Sequence, residues 1–197
     1  DQPGCYEYDG GRLVKYEILP GDMATNYDDV PFYRYADVLL KKAECLLRLG
    51  GYKGETEQDA ADLVTQVRAR NFKSNPAKAV RTVAQLKGGS NYPYGHRENR
   101  NEMGKNDPTK IFNEIEGGAD IELGGLLDER AWEFVGEYVR RQDLIRFKMT
   151  NGQNVYNGKS WFCKPRVTDV SDNHLNIFPI PKEAIEGNVK LKQNPGY

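Results

Sequence analysis

Two amphipathic helical patterns in close succession constrain the fold of this chain more than any other feature. The first covers about residues 32–49, and Gly50 follows it as a stop signal. Its apolar residues recur at helical spacing: Ala36, Leu39, Leu40, Ala43, Leu46 and Leu47. The second covers residues 55–70, and its apolar stripe consists of Ala60, Leu63, Val64 and Val67. Two such helices joined by a short turn predict an antiparallel hairpin.

Two further helices are predicted downstream of the hairpin. Pro76 opens a shorter one that ends near Gly88, because proline fits the first position of a helix. The longest pattern covers about residues 126–147. Its predicted buried stripe consists of Leu127, Ala131, Phe134, Val135, Tyr138 and Ile145. We therefore predict a mainly α fold, built from a helical hairpin, further helices and long loops.

Little β structure is expected. A short strand is predicted at residues 175–179 and a helical turn at 182–186, while residues 13–18 are compatible with another strand. The whole chain, 1–197, is interpreted as one unit in three parts. These are an irregular lead-in over 1–30, a helical part over 31–147 and a loop-rich segment over 148–197.

Composition excludes several classes of function. The chain has 28 Lys and Arg residues against 29 Asp and Glu residues, a net charge of -1. It therefore has no overall positive field for nucleic acid or an anionic bilayer. A membrane span needs about 20 mostly apolar residues, and charges interrupt the apolar runs, so no transmembrane segment is predicted. Cys5, Cys45 and Cys163 lie too far apart in the sequence to suggest a disulfide framework or a metal-ligand pair.

The longest predicted helix is densely charged, which admits two interpretations. Glu133 and Glu137 share a face with Arg140 or Arg141, at spacings that allow ion pairs. As a general acid and base, the two carboxylates would have to flank a bond, yet on one helix they point the same way. An ion-pair network that ties the helix to its neighbours is the favoured interpretation.

Other motifs give no support for a cofactor, a metal or a nucleophile. Residues 152–160 superficially resemble a phosphate-binding loop, but five residues separate the glycines and the segment follows a helix. His96 and His174 are the two histidines, and no local signature supports a zinc site or a catalytic triad. No spacing of Asp or Asn residues supports a calcium site.

The connection over residues 90–108 is the most informative loop, because connections of this length are usually functional or mobile. It combines aromatic rings for stacking on a sugar with polar groups for its hydroxyls, and a second loop adds a tryptophan. The candidate ligand-binding residues are Tyr92, Tyr94, His96, Arg97 and Trp161. The alternative is that these aromatic rings fill the core beneath the loops.

Three separated stretches carry a family resemblance. The first is PFYRYADVLLKKAE at 31–44, the second is ERAWEF at 129–134 with DLIRF at 143–147, and the third is FPIPKEAI at 178–185 with QNPGY at 193–197. In this order, they resemble the C-terminal part of the SusD/RagB family. Its members are surface glycan-binding lipoproteins that work with a TonB-dependent transporter in Bacteroidetes.

The resemblance implies an all-helical fold in which the hairpin is similar to the last tetratricopeptide-like unit. It also implies a surface-exposed lipoprotein of the outer membrane, with the signal peptide and lipidated cysteine outside this chain. Cys5 is not expected to be the lipid anchor, since an apolar lipobox does not precede it. The implied partners are an oligosaccharide and a SusC-like transporter. The matching motif residues look architectural, so they predict the fold rather than the ligand site.

The expected function is therefore non-catalytic binding of a starch-like glycan and its delivery to the transporter. A tetratricopeptide-like adaptor that contacts the transporter without binding sugar is the alternative. A glycoside hydrolase is a third possibility, which needs two carboxyl groups on separate elements about 5 to 9.5 Å apart.

Overall fold

The predicted hairpin is present. The computed structural model describes residues 15–16, 31–94, 116–160, 173–188 and 190–197. Helix α1 spans Tyr35–Leu49 and helix α2 spans Glu57–Ala69. Gly50, with a φ of 70°, ends α1 by donating its N–H to the carbonyl of Leu46, and Thr56 and Asp59 start α2 with a reciprocal capping box.

Small residues let the two helices approach closely. Ala43 on α1 and Ala60 and Ala61 on α2 are fully buried, and Leu40 and Val64 fill the space beside them. The same apolar cluster continues into the later helices. The hairpin is therefore held by the stripe that the sequence pattern predicted.

The third predicted helix is wrong as a single element. A 3₁₀ helix, Pro76–Ala79, is followed by helix α3, Val83–Lys87, which starts with its own capping box. The break has a local cause, because Arg68 of α2 binds the carbonyls of Lys78 and Ala79. Thr65 of α2 likewise accepts the N–H of Arg81. These side chains occupy backbone groups that a continuous helix would use.

Helix α4, Gly124–Glu133, lies unusually close to α3. The N–H of Gly125 donates to the carbonyl of Gly88 at 3.0 Å. A Cβ atom on Gly125 would stand 2.0 Å from the carbonyl oxygen of Gln85, and one on Gly124 would stand 2.0 Å from the Ser90 nitrogen. Only glycine permits this approach, which brings the chain from Ser90 onward against α4.

The long helix predicted over 126–147 is also wrong as one element. It divides into α4 and α5, Arg140–Arg146, because Gly136 and Tyr138 adopt positive φ angles of 78° and 61°. Leu127 and Phe134 of the predicted stripe are buried as expected, whereas Val135 and Tyr138 are exposed. The connection turns these two side chains away from the core.

The described residues of the C-terminal segment form short elements only. They are α6, Val155–Gly158, a 3₁₀ helix, His174–Asn176, and α7, Lys182–Gly187. The strand predicted at 175–179 is wrong. Side chains, rather than a partner strand, form hydrogen bonds with the backbone groups at and next to this segment. Gln193 binds both backbone groups of Ile180, and Asn194 donates to the carbonyl of Phe178.

The β structure in the described parts of the chain consists of isolated β-bridges, and no extended strand is present there. The possible strand at 13–18 lies outside the described residues except for Lys15 and Tyr16. No described helix is long and apolar enough to cross a membrane. The observed fold is mainly α, as predicted.

Candidate functional site

Helix α4 and the residues after it present a cluster of salt bridges, here called the ion-pair face. The side chains of its carboxylates are buried, and their cations come from the other helices, from the flanking turns and from Lys15 in the N-terminal segment. It consists of Glu129, Glu133 and Glu137 with their partners Lys15, Arg34, Arg68, Arg70 and Arg81.

Arg34 shows how this face holds the fold together. It stands immediately before α1 and binds Glu133 at 2.9 Å and Glu137 at 2.7 Å. Arg68 of α2 binds Glu129 at 2.6 Å. The favoured interpretation of a structural network is therefore confirmed. The predicted partners, Arg140 and Arg141, were wrong for these carboxylates, since residues distant in the sequence supply them.

A second set of ion pairs lies deeper. Arg130 of α4 is 2% exposed and donates to Asp143 at 2.8 Å and to Asp37 at 2.9 Å. Its Nη1 group has no hydrogen-bond partner in the described protein. Arg146 joins Asp143 to Glu44, which connects α5 to α1. Charges buried in this way are costly unless they are paired, so these residues define the packing of α1, α4 and α5.

Glu133 and Glu137 of the ion-pair face are poorly suited to act as a catalytic acid and base. Burial alone would raise the pKa of Glu137, but hydrogen bonds from Arg34 and Lys15 outweigh it and hold that pKa below its usual value. A general acid needs the opposite shift. Glu133 shares Arg34 with Glu137, so both carboxylates are occupied by cations. Their chemistry is that of a structural clamp.

A different face of α4 and α5 forms an open apolar groove of about 590 Å³. Its walls come from both helices, from the connection between them and from the loop after α3. The lining side chains include Tyr92, Trp132, Phe134, Val135, Tyr138, Arg140 and Arg141. Apolar walls with a few polar groups are typical of small-ligand sites, so this groove is the candidate site.

Trp132 is an exposed aromatic residue of the groove. It is 55% exposed, and Arg68 and Arg81 lie over its ring at 5.9 and 6.0 Å. Both of these arginines are held by Glu129 of the ion-pair face. The network thus fixes one side of the indole and leaves the rest of the ring accessible to a ligand.

Tyr138 stands at the other end of the connection between the helices. It is 89% exposed and occupies the left-handed region, with φ 61°. Such a conformation costs a residue with a side chain about 1 to 3 kcal/mol. Packing in the core does not explain why a tyrosine stands in this strained and almost fully exposed position beside the groove.

The structure brings one predicted site residue to the groove. Tyr92 lines it and is about half exposed. Tyr94 is fully buried and packs edge-to-face on Tyr92 at 4.8 Å, and its hydroxyl accepts a hydrogen bond from Arg140. Burial raises the pKa of the Tyr94 phenol. Tyr94 therefore supports Tyr92 and Arg140 from below instead of offering a face to solvent.

The other predicted site residues, His96, Arg97 and Trp161, lie outside the described residues. Sequence reasoning missed Trp132 and Tyr138 as groove residues. Trp132 belongs to a motif interpreted as architectural, and Tyr138 was assigned to the buried stripe. The local signal was Gly136, because a glycine within a helical pattern is a sign of a break that redirects the residues around it.

Asp128 of α4 anchors the loop that carries Tyr92. It accepts hydrogen bonds from the Ser90 hydroxyl and from the backbone N–H of Asn91. Burial raises the pKa of Asp128 above its usual value, in spite of these bonds. The loop therefore starts from a fixed point on the same helix that carries Trp132.

The described residues offer no metal or phosphate site. No three His, Cys, Asp or Glu side chains among them lie close enough together to hold a metal ion. Within 152–160, which resembles a phosphate loop, Lys159 is buried and paired with Asp120 at 2.9 Å. The groove remains the candidate site in this part of the chain.

The described part of the chain is thus a set of helices joined by loops, with an aromatic groove on one face and a structural charge network on another. The chain belongs to the SusD family, which it matches over residues 7–197. It is 28% identical to the starch-binding protein SusD of Bacteroides thetaiotaomicron over 196 residues. That match covers 96% of this chain and 26% of the relative, so the chain spans about a quarter of the relative's length. No solved structure shows significant similarity to it.

Proposed function

We propose that this chain binds an oligosaccharide in the groove between α4 and α5. Membership of the SusD family and the similarity to a starch-binding protein support this class of ligand. The binding is non-catalytic and serves delivery of the glycan to a SusC-like TonB-dependent transporter. The chain acts as part of a surface lipoprotein of the outer membrane in a member of the Bacteroidetes.

The observation that carries the proposal is the pair of exposed rings, Trp132 and Tyr138, on a groove of about 590 Å³. Sugar rings present C–H faces that stack on aromatic rings, and their hydroxyls need planar hydrogen-bonding groups. Tyr92, Arg140 and Arg141 place such groups on the same groove. His96, Arg97 and Trp161 remain proposed contributors from the neighbouring loops.

The state of the carboxylates supports a binding role over hydrolysis. Glu133 and Glu137 stand on one segment and are both held by Arg34. Hydrolysis requires a carboxyl group with a raised pKa opposite a second one across the sugar. The pKa of Glu137 is lowered instead. Incubation of the chain with oligosaccharides should therefore release no product.

The test is a calorimetric titration of the chain with neutral and acidic oligosaccharides. We expect saturable binding that weakens about tenfold or more in Trp132→Ala and in Tyr138→Ala, as for a central aromatic contact. Trp161→Ala and Tyr92→Ala measure the contribution of the two loops. Tyr94 requires the milder change to Phe, because its ring is buried.

Tyr35→Ala is the matched control for these variants. Tyr35 is also exposed, at 72%, but it stands at the start of α1 and does not line the groove. It should leave sugar affinity unchanged. If Trp132→Ala shows the same unfolding transition as the wild type and binds the oligosaccharide with equal affinity, the groove is excluded as the binding site.

The adaptor alternative is favoured by a second exposed surface. The start of α1 exposes an apolar strip that consists of Phe32, Tyr33, Tyr35 and Val38. If the chain binds the transporter alone, Val38→Glu should abolish that association while Trp132→Ala leaves it intact. If it binds sugar in the groove, the two variants should show the reverse pattern in the sugar titration.

A further inference from the structure

Two of the three arginines that line the groove differ from the other arginines of the same segment. Residues 124–146 contain five carboxylates, Asp128, Glu129, Glu133, Glu137 and Asp143, and four arginines, Arg130, Arg140, Arg141 and Arg146. Arg130 and Arg146 are paired with carboxylates. In the described part of the chain, Arg140 and Arg141 have no carboxylate within ion-pair distance.

Neutral oxygen atoms of the described residues hold Arg140 and Arg141 in place. Arg140 donates to the Leu127 carbonyl at 3.3 Å and to the Tyr94 hydroxyl at 3.0 Å. Arg141 donates to the Leu175 carbonyl at 2.7 Å, and its guanidinium lies 4.4 Å from the centre of the Phe178 ring. These contacts orient both side chains, and none of the described contacts gives either guanidinium a carboxylate partner.

The carboxylates of the segment are already engaged elsewhere. Asp128 interacts electrostatically with Arg140, yet its two oxygens accept hydrogen bonds from Ser90 and Asn91. Asp143 binds Arg130 and Arg146. The other three carboxylates belong to the ion-pair face. The groove lining itself contains arginines and no acidic residue.

We propose that the groove is selective for an acidic oligosaccharide, one whose sugar units carry carboxylates that pair with Arg140 and Arg141. This inference rests on the proposed glycan binding and names the ligand class for the same site. A guanidinium has five N–H donors in a planar fork that matches a carboxylate. In the described protein, Arg141 uses one side-chain hydrogen bond, so its fork remains available.

The aromatic residues and the arginines then have separate tasks. Trp132 and Tyr138 stack on sugar rings and accept neutral and acidic units alike. Arg140 and Arg141 distinguish a uronic acid from a hexose, because only the acid supplies a negative charge at the edge of the ring. An unpaired cation beside an apolar wall interacts more strongly than one in bulk water, since the local dielectric constant is lower.

The test compares hexagalacturonate with its fully methyl-esterified form, which has nearly the same shape and no charge. Maltohexaose serves as the neutral glucan. We expect the acid to bind wild type at least about tenfold more tightly than the ester. Raising the salt concentration from about 50 to about 500 mM should weaken binding of the acid and leave the ester unaffected.

The variant Arg141→Gln should bring the affinity for the acid close to that for the ester. The acid-to-ester ratio is the informative quantity, because a general loss of folding lowers both affinities together. Arg141→Lys should give an intermediate ratio, since it keeps the charge but loses the fork. Lys53→Gln is the control, because it removes one exposed cation from the turn between α1 and α2, outside the groove.

Three results would overturn the inference, and they differ in whether the proposed glycan binding survives. Equal affinities for acid and ester, or tighter binding of maltohexaose, would contradict acidic selectivity while leaving glycan binding in the groove intact. Failure of a folded chain to bind any of the three sugars would contradict both proposals. An unchanged ratio in Arg141→Gln would show that selectivity arises away from this arginine.

Discussion

The ion-pair face and the groove occupy the same stretch of chain and use the same residue types, yet they treat their charges differently. On the ion-pair face, buried carboxylates bind cations from the residue before α1, from α2 and from the turn before α3. In the groove, Arg140 and Arg141 bind neutral oxygens and stand beside exposed aromatic rings. The first arrangement pairs its charges within the protein, whereas the two arginines of the second have no carboxylate partner among the described residues.

The ion-pair face also supports one wall of the groove. Glu129 holds Arg68 and Arg81, and both of them lie over the ring of Trp132. The paired charges therefore position an aromatic residue whose free surface belongs to the groove. Supporting contacts of this kind keep a binding surface rigid, which lowers the entropy lost on binding.

The largest effect is expected from breaking the buried pairs of Arg130. Arg130→Ala leaves Asp37 and Asp143 in the interior with one cation fewer each, so it should lower the free energy of unfolding by about 3 to 5 kcal/mol. Urea unfolding measures this change. Arg48→Ala is the control, because its pair with Glu44 is more exposed and should contribute about 1 kcal/mol or less.

Acid should weaken the paired regions next. Hydrogen bonds from Lys41 and Arg146 overcome the effect of burial and hold the pKa of Asp37 and of Glu44 below their ordinary values of 3.8 and 4.5. Glu137 behaves in the same way. The stabilisation is complete above the ordinary values. It is lost as the pH falls toward the lowered ones, because the unfolded chain takes up protons first.

Urea unfolding at a series of pH values from 7 to 3 checks the acid prediction. Stability should be level down to about pH 5 and then fall steeply. Asp128 opposes this trend, because its raised pKa favours the folded state in acid. Glu137→Gln should make the decline shallower, and equal stability at pH 6 and pH 3.5 would contradict the network's role.

An intermediate effect is expected where α3 and α4 meet. Gly125→Ala places a Cβ atom 2.0 Å from the carbonyl oxygen of Gln85 and should cost about 1 to 3 kcal/mol of unfolding free energy. Gly187→Ala in α7 is the matched control, because its Cβ meets nothing within 4 Å. Equal stability of the two variants would show that the close approach of α3 to α4 is not required.

The smallest effect on stability is expected in the groove, and its sign is reversed. Tyr138→Gly removes the strain of a left-handed tyrosine and adds backbone entropy to the unfolded chain, so the net gain should be about 0.5 kcal/mol. The same variant should weaken oligosaccharide binding. A loss of stability above about 1 kcal/mol would place Tyr138 among the residues that hold the fold.

Local patterns explain why much of the fold was predictable. The hairpin follows from apolar spacing, from Gly50 and from the capping box at Thr56, all of which are visible within a few residues. The errors arose where distant side chains intervened. Thr65 and Arg68 occupy the backbone of residues 78–81, and Gln193 and Asn194 do the same near residues 178–180.

The site was less accessible to sequence reasoning. Tyr92, predicted as a ligand-binding residue, lines the groove, but Tyr94, two positions later, is buried beneath it. Trp132 was hidden within a motif that also contains the buried residues Glu133 and Phe134. Adjacent residues on an irregular connection point in directions that no periodic rule describes.

The sequence by itself determined the helical hairpin, the family and the near balance of charge, because spacing, motifs and composition are properties of the linear chain. Only the tertiary structure decided which charges are paired. Arg34 lies 103 residues from Glu137, whereas Arg140, three residues from Glu137, bonds to Tyr94 instead. Charge partners are set by how distant segments pack, so the distinction between the ion-pair face and the groove exists only in the folded chain.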